Sequence, residues 1–520
     1  MIREQDKEAI EVAARAFGLR TSHYLELYEK VWDLIMPERQ DRKRTGADDN
    51  VMGNKVYDST ALNGVENLAN YLTSTMFPAW EPYVFLEPGP YVPESEREEL
   101  RSQLVGVNKI IQYNLQASNL MQEVQPSIKD CIVGTGCFII EKHKSGVGLQ
   151  FRNVPLKELM VDEDESGELN YIYRCYDMYS RDILKMYGDA VPEKIKKELQ
   201  KKKDEKHVCW SILVPDGDTQ KFRNIVVMEK YKEDFVLKSV QLGYNPYIAF
   251  RWSKVSDSPM GRGPAIWTYY DASYLNKLKE HGLRGLSLAV AGVWLGKDDG
   301  IFNPYSVRLE PGIILPVMDN NSDNPAMRRL EVGTDFNLAQ YGMAELESKI
   351  NKALFADRFG SLDLTPRPAT ETMLRDKIIA QTMAGTYGRF RTELLMKLVK
   401  NELYLLQEQG LIPKELRIDG RNITVTFVSK LEQAQRMQEV DNLMQFAGFA
   451  AEIGKQDPHA GQVPDFAKII RGIAEKMQID PNRLRSEKEV EAIITQAQES
   501  AMAMGQAAME QNGQPAQPTA

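Results

Sequence analysis

The chain has 520 residues, long enough for about three or four domains at roughly 100–200 residues each, and 42% of it is hydrophobic. Its formal charge of −9 argues against a protein that coats nucleic acid with its whole surface, while leaving room for a local basic lining. No apolar run reaches the roughly 18 residues that a membrane helix needs, so no membrane is expected, and the charged N-terminus lacks the order of a signal peptide. Cys131, Cys137, Cys175 and Cys209 form no CxxC pair and the five histidines no zinc spacing. A reducing compartment is therefore expected, with no metal and no cofactor.

The N-terminal part reads as helical. Ser59 or Thr60 is placed to cap a helix with apolar face Leu62, Val65, Ala69, Leu72 and Met76, and Phe77-Pro78 stops it. An extended run, Tyr83 to Leu86, precedes helices predicted over about 94–117 and 124–133. From Cys137 to Trp252 the signal turns to strands. Phe138–Ile140 and Leu149–Phe151 flank Ser145-Gly146, and Leu159–Val161 and Tyr171–Tyr173 flank Asp164-Glu165-Ser166-Gly167, two hairpins. A helical interruption over about 181–206 is followed by further strands around 208–213, 224–227 and 247–250. The body is therefore predicted to be mixed α+β with a mostly antiparallel sheet.

Two amphipathic helices follow, bracketing a helix-poor insert. The first, 264–293, places Leu275, Leu278, Gly282, Leu286, Ala289 and Val293 on one stripe. The second, 338–357, does the same with Met343, Leu346, Ile350 and Leu354. The insert holds Pro304, Pro311, Pro316 and Pro325. Such stripes need a neighbour to bury them, and in an oligomeric ring that neighbour is another subunit. After a proline-broken loop, 358–368, Thr370 opens a long helix reaching Gln409, with a kink expected near Gly385 and Gly388. Strand 423–427 and helices over 429–498 complete the pattern, and the tail 501–520, rich in Gln, Ala, Met and Pro, is expected to be disordered.

Several motifs fall short of chemistry. Gly292 to Lys297 is one residue short of a phosphate-binding loop. Gly285-Leu286-Ser287-Leu288-Ala289 lies mid-helix, where a nucleophile elbow needs a strand-to-helix turn. Gly134-Thr135-Gly136 lacks a third glycine. Asp162 to Gly167 begins like a calcium loop but has Tyr173 where the bidentate Glu belongs, which favours a solvated turn. The lysines between Lys194 and Lys206 are interleaved with Glu193, Glu198, Asp204 and Glu205, which favours a solvated helix face. No catalytic set is found. The better candidate for DNA is 358–400, where eight Lys or Arg stand against four acids, a local balance of 8 − 4 = +4. Repeated around a ring, that excess makes a lining on which duplex DNA slides without sequence readout.

Three landmarks in order give the chain a likeness. These are Asn67-Leu68-Ala69-Asn70-Tyr71-Leu72 running into Phe77-Pro78-Ala79-Trp80, Asp257-Ser258-Pro259-Met260-Gly261-Arg262-Gly263-Pro264 opening a helix, and Ala369-Thr370-Glu371-Thr372-Met373-Leu374-Arg375 opening the long kinked one. In these the chain resembles the portal, or head-to-tail connector, proteins of short-tailed bacteriophages. The resemblance implies a non-enzymatic homo-oligomeric ring, usually a dodecamer, at one capsid vertex of the virion, assembled in the host cytoplasm. It implies a wing over 1–263, stem helices over 264–293 and 338–357, and a clip over 294–337. A tunnel loop, the long helix and a return strand would occupy 358–428, and a helical crown 429–500. Double-stranded DNA would pass through the ring with Arg358, Arg367, Arg375 and Lys377 as channel-lining candidates. Leu278, Gly282, Gly285, Leu286, Leu346 and Ile350 would be stem-interface candidates. Implied partners are the terminase, a tail adaptor, the major capsid and scaffolding proteins and internal ejection proteins. The alternative is another virion component, scaffold-associated or ejected, which would be more uniformly helical.

Overall fold

In the computed structural model, residues 3–37, 56–78, 82–217, 221–291, 294–296, 327–329, 336–356, 382–413, 416, 418, 423–427, 440, 442–453 and 465–476 are described. The chain divides into two compact units. One comprises Met1–Arg97 and Leu104–Val428, and the other Glu98–Gln103 and Ser429–Ala520.

The first unit opens with α1 (Glu4–Leu19), a π-helical turn (Arg20–Leu25) and α2 (Glu26–Ile35). Helix α3 (Thr60–Met76) starts where expected, but neither Ser59 nor Thr60 caps it. The carboxylate of Asp58 does so instead, accepting from Thr60 N at 3.1 Å and Thr60 Oγ1 at 2.9 Å. Strand β1 (Val84–Pro88) pairs antiparallel with a partner over three hundred residues away, β12 (Ile423–Phe427), in the register Val84↔Phe427. Asn108, on α4 (Glu94–Ala117), closes the other edge of β1: it accepts from Leu86 N at 2.8 Å and donates to Leu86 O at 3.1 Å.

Helix α5 (Leu120–Val133) runs into β2 (Thr135–Lys142), the centre of a three-stranded antiparallel sheet ordered β3 (Leu149–Asn153), β2, β9 (Tyr247–Arg251). The first six residues of β2 are buried, with no alternation, as expected of a strand covered on both faces. Edge-to-face rings tie this sheet to the long C-terminal helix: Phe138 meets Phe151 and Phe250, and Phe250 and Trp252 both meet Phe390 at about 6 Å. A second sheet of five antiparallel strands is a meander: β4 (Leu159–Glu163), β5 (Leu169–Tyr179), β6 (Lys206–Pro215), β7 (Phe222–Met228) and β8 (Lys238–Leu242). Between β5 and β6 lie α6 (Ser180–Tyr187) and α7 (Glu193–Lys201). Ile183, Val191 and Leu199 from that layer pack with Cys209, Val226 and Met228 on one face. On the other face, Phe17 of α1 packs against Trp210 with ring centroids 4.8 Å apart and planes tilted by 49°, since adjacent strand residues point to opposite sides. The body is thus mixed α and β, with its strands in two sheets and the separate β1–β12 pair. All four cysteines are buried, and none is in a disulfide.

The remaining elements are α8 (Pro264–Ala291), the short antiparallel pair β10 (Trp294–Gly296) and β11 (Met327–Arg329), α9 (Phe336–Ala353), α10 (Ala384–Arg389), a π-helical turn (Phe390–Leu395) and α11 (Met396–Glu408). The irregularity expected near Gly388 falls just after it, in the π turn. Of the second unit, a helix over 442–453 and α12 (Phe466–Lys476) are described.

Candidate subunit-interface and channel site

Helices α8 and α9 run antiparallel, and their base is pinned by polar contacts that reach back to α3. Lys279 on α8 bridges Asp58 at 2.5 Å and Glu347 on α9 at 2.7 Å. Asn276 accepts from the backbone N–H of Tyr57 at 2.6 Å and of Asp58 at 3.1 Å. Gly64 of α3 lies against Leu354, whose Cδ1 is 2.7 Å from where a Cβ would sit, so an added methyl there would force the Leu354 side chain to move. Further out, Gly282 faces the Met343 methyl at 3.6 Å. The insert begins and ends on β10–β11, where Trp294 pairs with Arg329.

The stripe read from sequence divides on this frame. Ile350 is fully buried within the single chain, and so are Leu275 and Leu354. Leu278 and Leu346 are half-buried. Gly285 faces open space and Leu286 is exposed. The lower part of the stripe therefore needs no second subunit. What stays uncovered is a different face, carrying Trp267, Tyr270 and Tyr274, which are 56%, 74% and 59% exposed. Their i, i+3, i+7 spacing sets three large rings on one side of α8. Sequence reading passed over them because it followed aliphatic and small residues; aromatic residues in the same rhythm were the missed signal.

Arg358, Arg367, Arg375 and Lys377 lie outside the described residues. Within the described end of the same basic segment, two cations point into the body. Arg389 donates to Trp252 O at 3.3 Å, and Lys397 is largely buried, which lowers its pKa despite the attraction of Glu168 and Glu393. Glu393 binds Arg251, receiving Nη2 at 2.7 Å and the Arg251 backbone N–H at 2.9 Å. The same guanidinium donates to Glu163, which Lys254 also holds at 2.7 Å. Burial alone would raise the Glu163 carboxyl, but hydrogen bonds from Lys254 and Arg251 override it and hold it below the usual range. This joint ties β9, β4 and the π turn together.

The calcium-like loop is a closed turn. Asp164 accepts from Ser166 N, Ser166 Oγ, Glu168 N and Asn170 Nδ2 at 2.5–2.9 Å. Gly134 ends α5, with Gly261 O directly against it, a close backbone crossing and not a nucleotide loop. Ser287 lies inside α8. Among the described residues, no three His, Cys, Asp or Glu side chains converge as a metal would require, and no helix is long and apolar enough to cross a membrane.

The profile of a family described as "Bacteriophage head to tail connecting protein" matches residues 7–484. The chain belongs to that head-to-tail connector family. The connector is 21% identical over 524 residues to the "Probable portal protein" of Bordetella phage BPP-1, covering 95% of this chain and 92% of that one. It is 26% identical over 170 residues to the "Portal protein" of Salmonella phage epsilon15, covering 31% of this chain and 30% of the other. Among solved structures it is similar to a chain of the "Neck of empty GTA particle computed with C6 symmetry", at 10% identity and a TM-score of 0.37, covering 78% of this chain and 91% of that chain. As a member of that family the connector is a structural protein that joins a bacteriophage head to its tail.

Proposed function

We propose that this connector works as a closed ring of identical subunits, a dodecamer in the arrangement typical of such proteins, with double-stranded DNA passing along its axis. The α8–α9 pair is its stem and the insert over 294–337 its clip, which meets the terminase and later the tail adaptor. The body over 1–263 is the wing and 429–500 the crown; they face the major capsid, scaffolding and internal ejection proteins. Assembly takes place in the host cytoplasm. Arg358, Arg367, Arg375 and Lys377 line the channel.

The observation that carries self-association is the uncovered Trp267–Tyr270–Tyr274 face on a helix whose neighbouring stripe is buried in its own chain at Leu275. Three aligned rings in water are the composition of an interface anchor. In a cyclic ring this face meets a different surface of the next copy, because a rotational interface is head-to-tail.

Negative-stain imaging and sedimentation of the purified chain test this reading. Annular particles are expected for the natural chain. Trp267→Ser/Tyr270→Ser/Tyr274→Ser is expected to keep its circular dichroism while its assembly midpoint rises by at least about tenfold, roughly 1.4 kcal/mol per contact. Annuli that form equally well from the triple variant remove the aromatic face from the interface. Natural chain that stays monomeric at high concentration removes the ring.

A further inference from the structure

The α6–α7 layer carries its charge in an arrangement that the sequence order conceals. Each interleaved acid has its own cation. Glu193 pairs with Lys196 at 3.6 Å, Glu198 with Lys230 at 3.3 Å, Glu205 with Lys202 at 2.9 Å, and Asp204 with Arg181 at 3.5 Å. Glu198 also accepts from the Tyr231 hydroxyl at 3.1 Å. The cancellation expected between neighbours in sequence is thus confined to these pairs. Lys194, Lys197 and Lys201 remain exposed, with no acidic partner among the described residues.

Their placement is fixed by the core. Leu199 is buried and Ile195 packs beside it against the five-stranded sheet. Positions 194, 197 and 201 lie on the opposite side of a 3.6-residue helix. Three ammonium groups therefore stand in one outward row about 10 Å long. Lysine is a mobile point charge without the planar fork that selects a carboxylate or a base edge, so the row suits a repeating array of phosphates. Duplex DNA presents about one charge per 1.7 Å of axis, dense enough to engage all three. The layer exposes no large aromatic side chain on which unpaired bases could stack, which favours the duplex over a single strand.

We propose that the outer face of α7 is a second DNA-contacting surface of the connector, distinct in its elements from the channel candidates. It holds the phosphate backbone of duplex DNA through Lys194, Lys197 and Lys201 without reading sequence. The proposal rests on the connector reading only in that DNA must come within reach of the subunit.

The test is fluorescence anisotropy of a labelled 24-base-pair duplex with the full chain, between 50 and 200 mM NaCl. Lys194→Gln/Lys197→Gln/Lys201→Gln is compared with the natural chain and with Lys196→Gln/Lys202→Gln, which alters paired lysines. Three lost phosphate contacts lower the slope of log K against log salt by about 2.7. The triple variant is expected to show that drop and the paired-lysine variant to keep the natural slope. Parallel lines for the triple variant overturn the proposal. Poly-glutamate that displaces the duplex at equal charge concentration assigns the face to an acidic protein and also overturns it. Imaging the same samples separates the two readings: a slope difference on particles that form no rings sinks the ring and leaves this surface standing.

Discussion

At the scale of single residues the least comfortable group is Glu402. It is fully buried on α11, and neither carboxyl oxygen has a hydrogen-bond partner among the described residues. Burial pushes its pKa well above the ordinary value, so the native chain holds a proton there that the unfolded chain releases. The sign follows. Below the unfolded carboxyl pKa, near 4.3, both states are protonated; above it the unfolded state gains by ionising, and native stability falls as pH rises. Glu402→Met is therefore expected to stabilise the chain by about 1–3 kcal/mol, more at pH 8 than at pH 5, in urea titrations. An equal gain at both values would mean the carboxyl is ionised in the native state. Glu163 has the opposite linkage. Its pKa is held down, so its contribution is present above the unfolded value and is lost on acidification. Removing the shared cation with Arg251→Met leaves Glu393 and Glu163 facing each other across a vacated site. A loss of about 3–5 kcal/mol is expected, with part recovered by adding Glu393→Gln; no recovery would deny that the joint is electrostatic.

At the scale of elements, helical rhythm was legible and its partner was not. The 264–293 stripe lies on α8, which ends at Ala291, and the hairpins at 138–151 and 159–173 form as β2–β3 and β4–β5. These are local patterns, each written within one continuous stretch of chain. The pairing of β1 with β12 spans more than three hundred residues and leaves no local trace, and Asp58, as good a capping residue as Ser59, sits one position before the two residues named as caps. The same limit explains Ile350: its periodicity announced a buried face, but only the folded chain shows that the same subunit buries it. The contact that sets this packing is Gly64 against Leu354. Gly64→Ala is expected to destabilise by about 1–3 kcal/mol through overpacking, and Leu354→Ala in the same chain to relieve the clash, so that the double variant loses less than the sum of the two. Strict additivity in a thermal or urea cycle would show that α3 and α9 adjust independently.

For the whole molecule, charge is a question of distribution. A total of −9 coexists with a +4 balance over 358–400, and the described end of that segment engages Arg389 and Lys397 within the body. Arg391 and Lys400 stay exposed at that end, and the proposed lining adds to them Arg358, Arg367, Arg375 and Lys377. A lining of this kind acts through the sum over all subunits, so a change at one position is multiplied by the ring number. Arg358→Glu/Arg367→Glu shifts each subunit by −4. In a ring, that turns a surface on which phosphates slide into one that repels them, while the α8 aromatic face and the Arg251 joint stay untouched. The expected outcome is annular particles indistinguishable from the natural ones in negative stain, with nuclease-protected DNA per assembled head lower by on the order of tenfold or more. Folded subunits that no longer close into rings would place these arginines at the subunit contact, and packaging at the natural level would remove them from the channel.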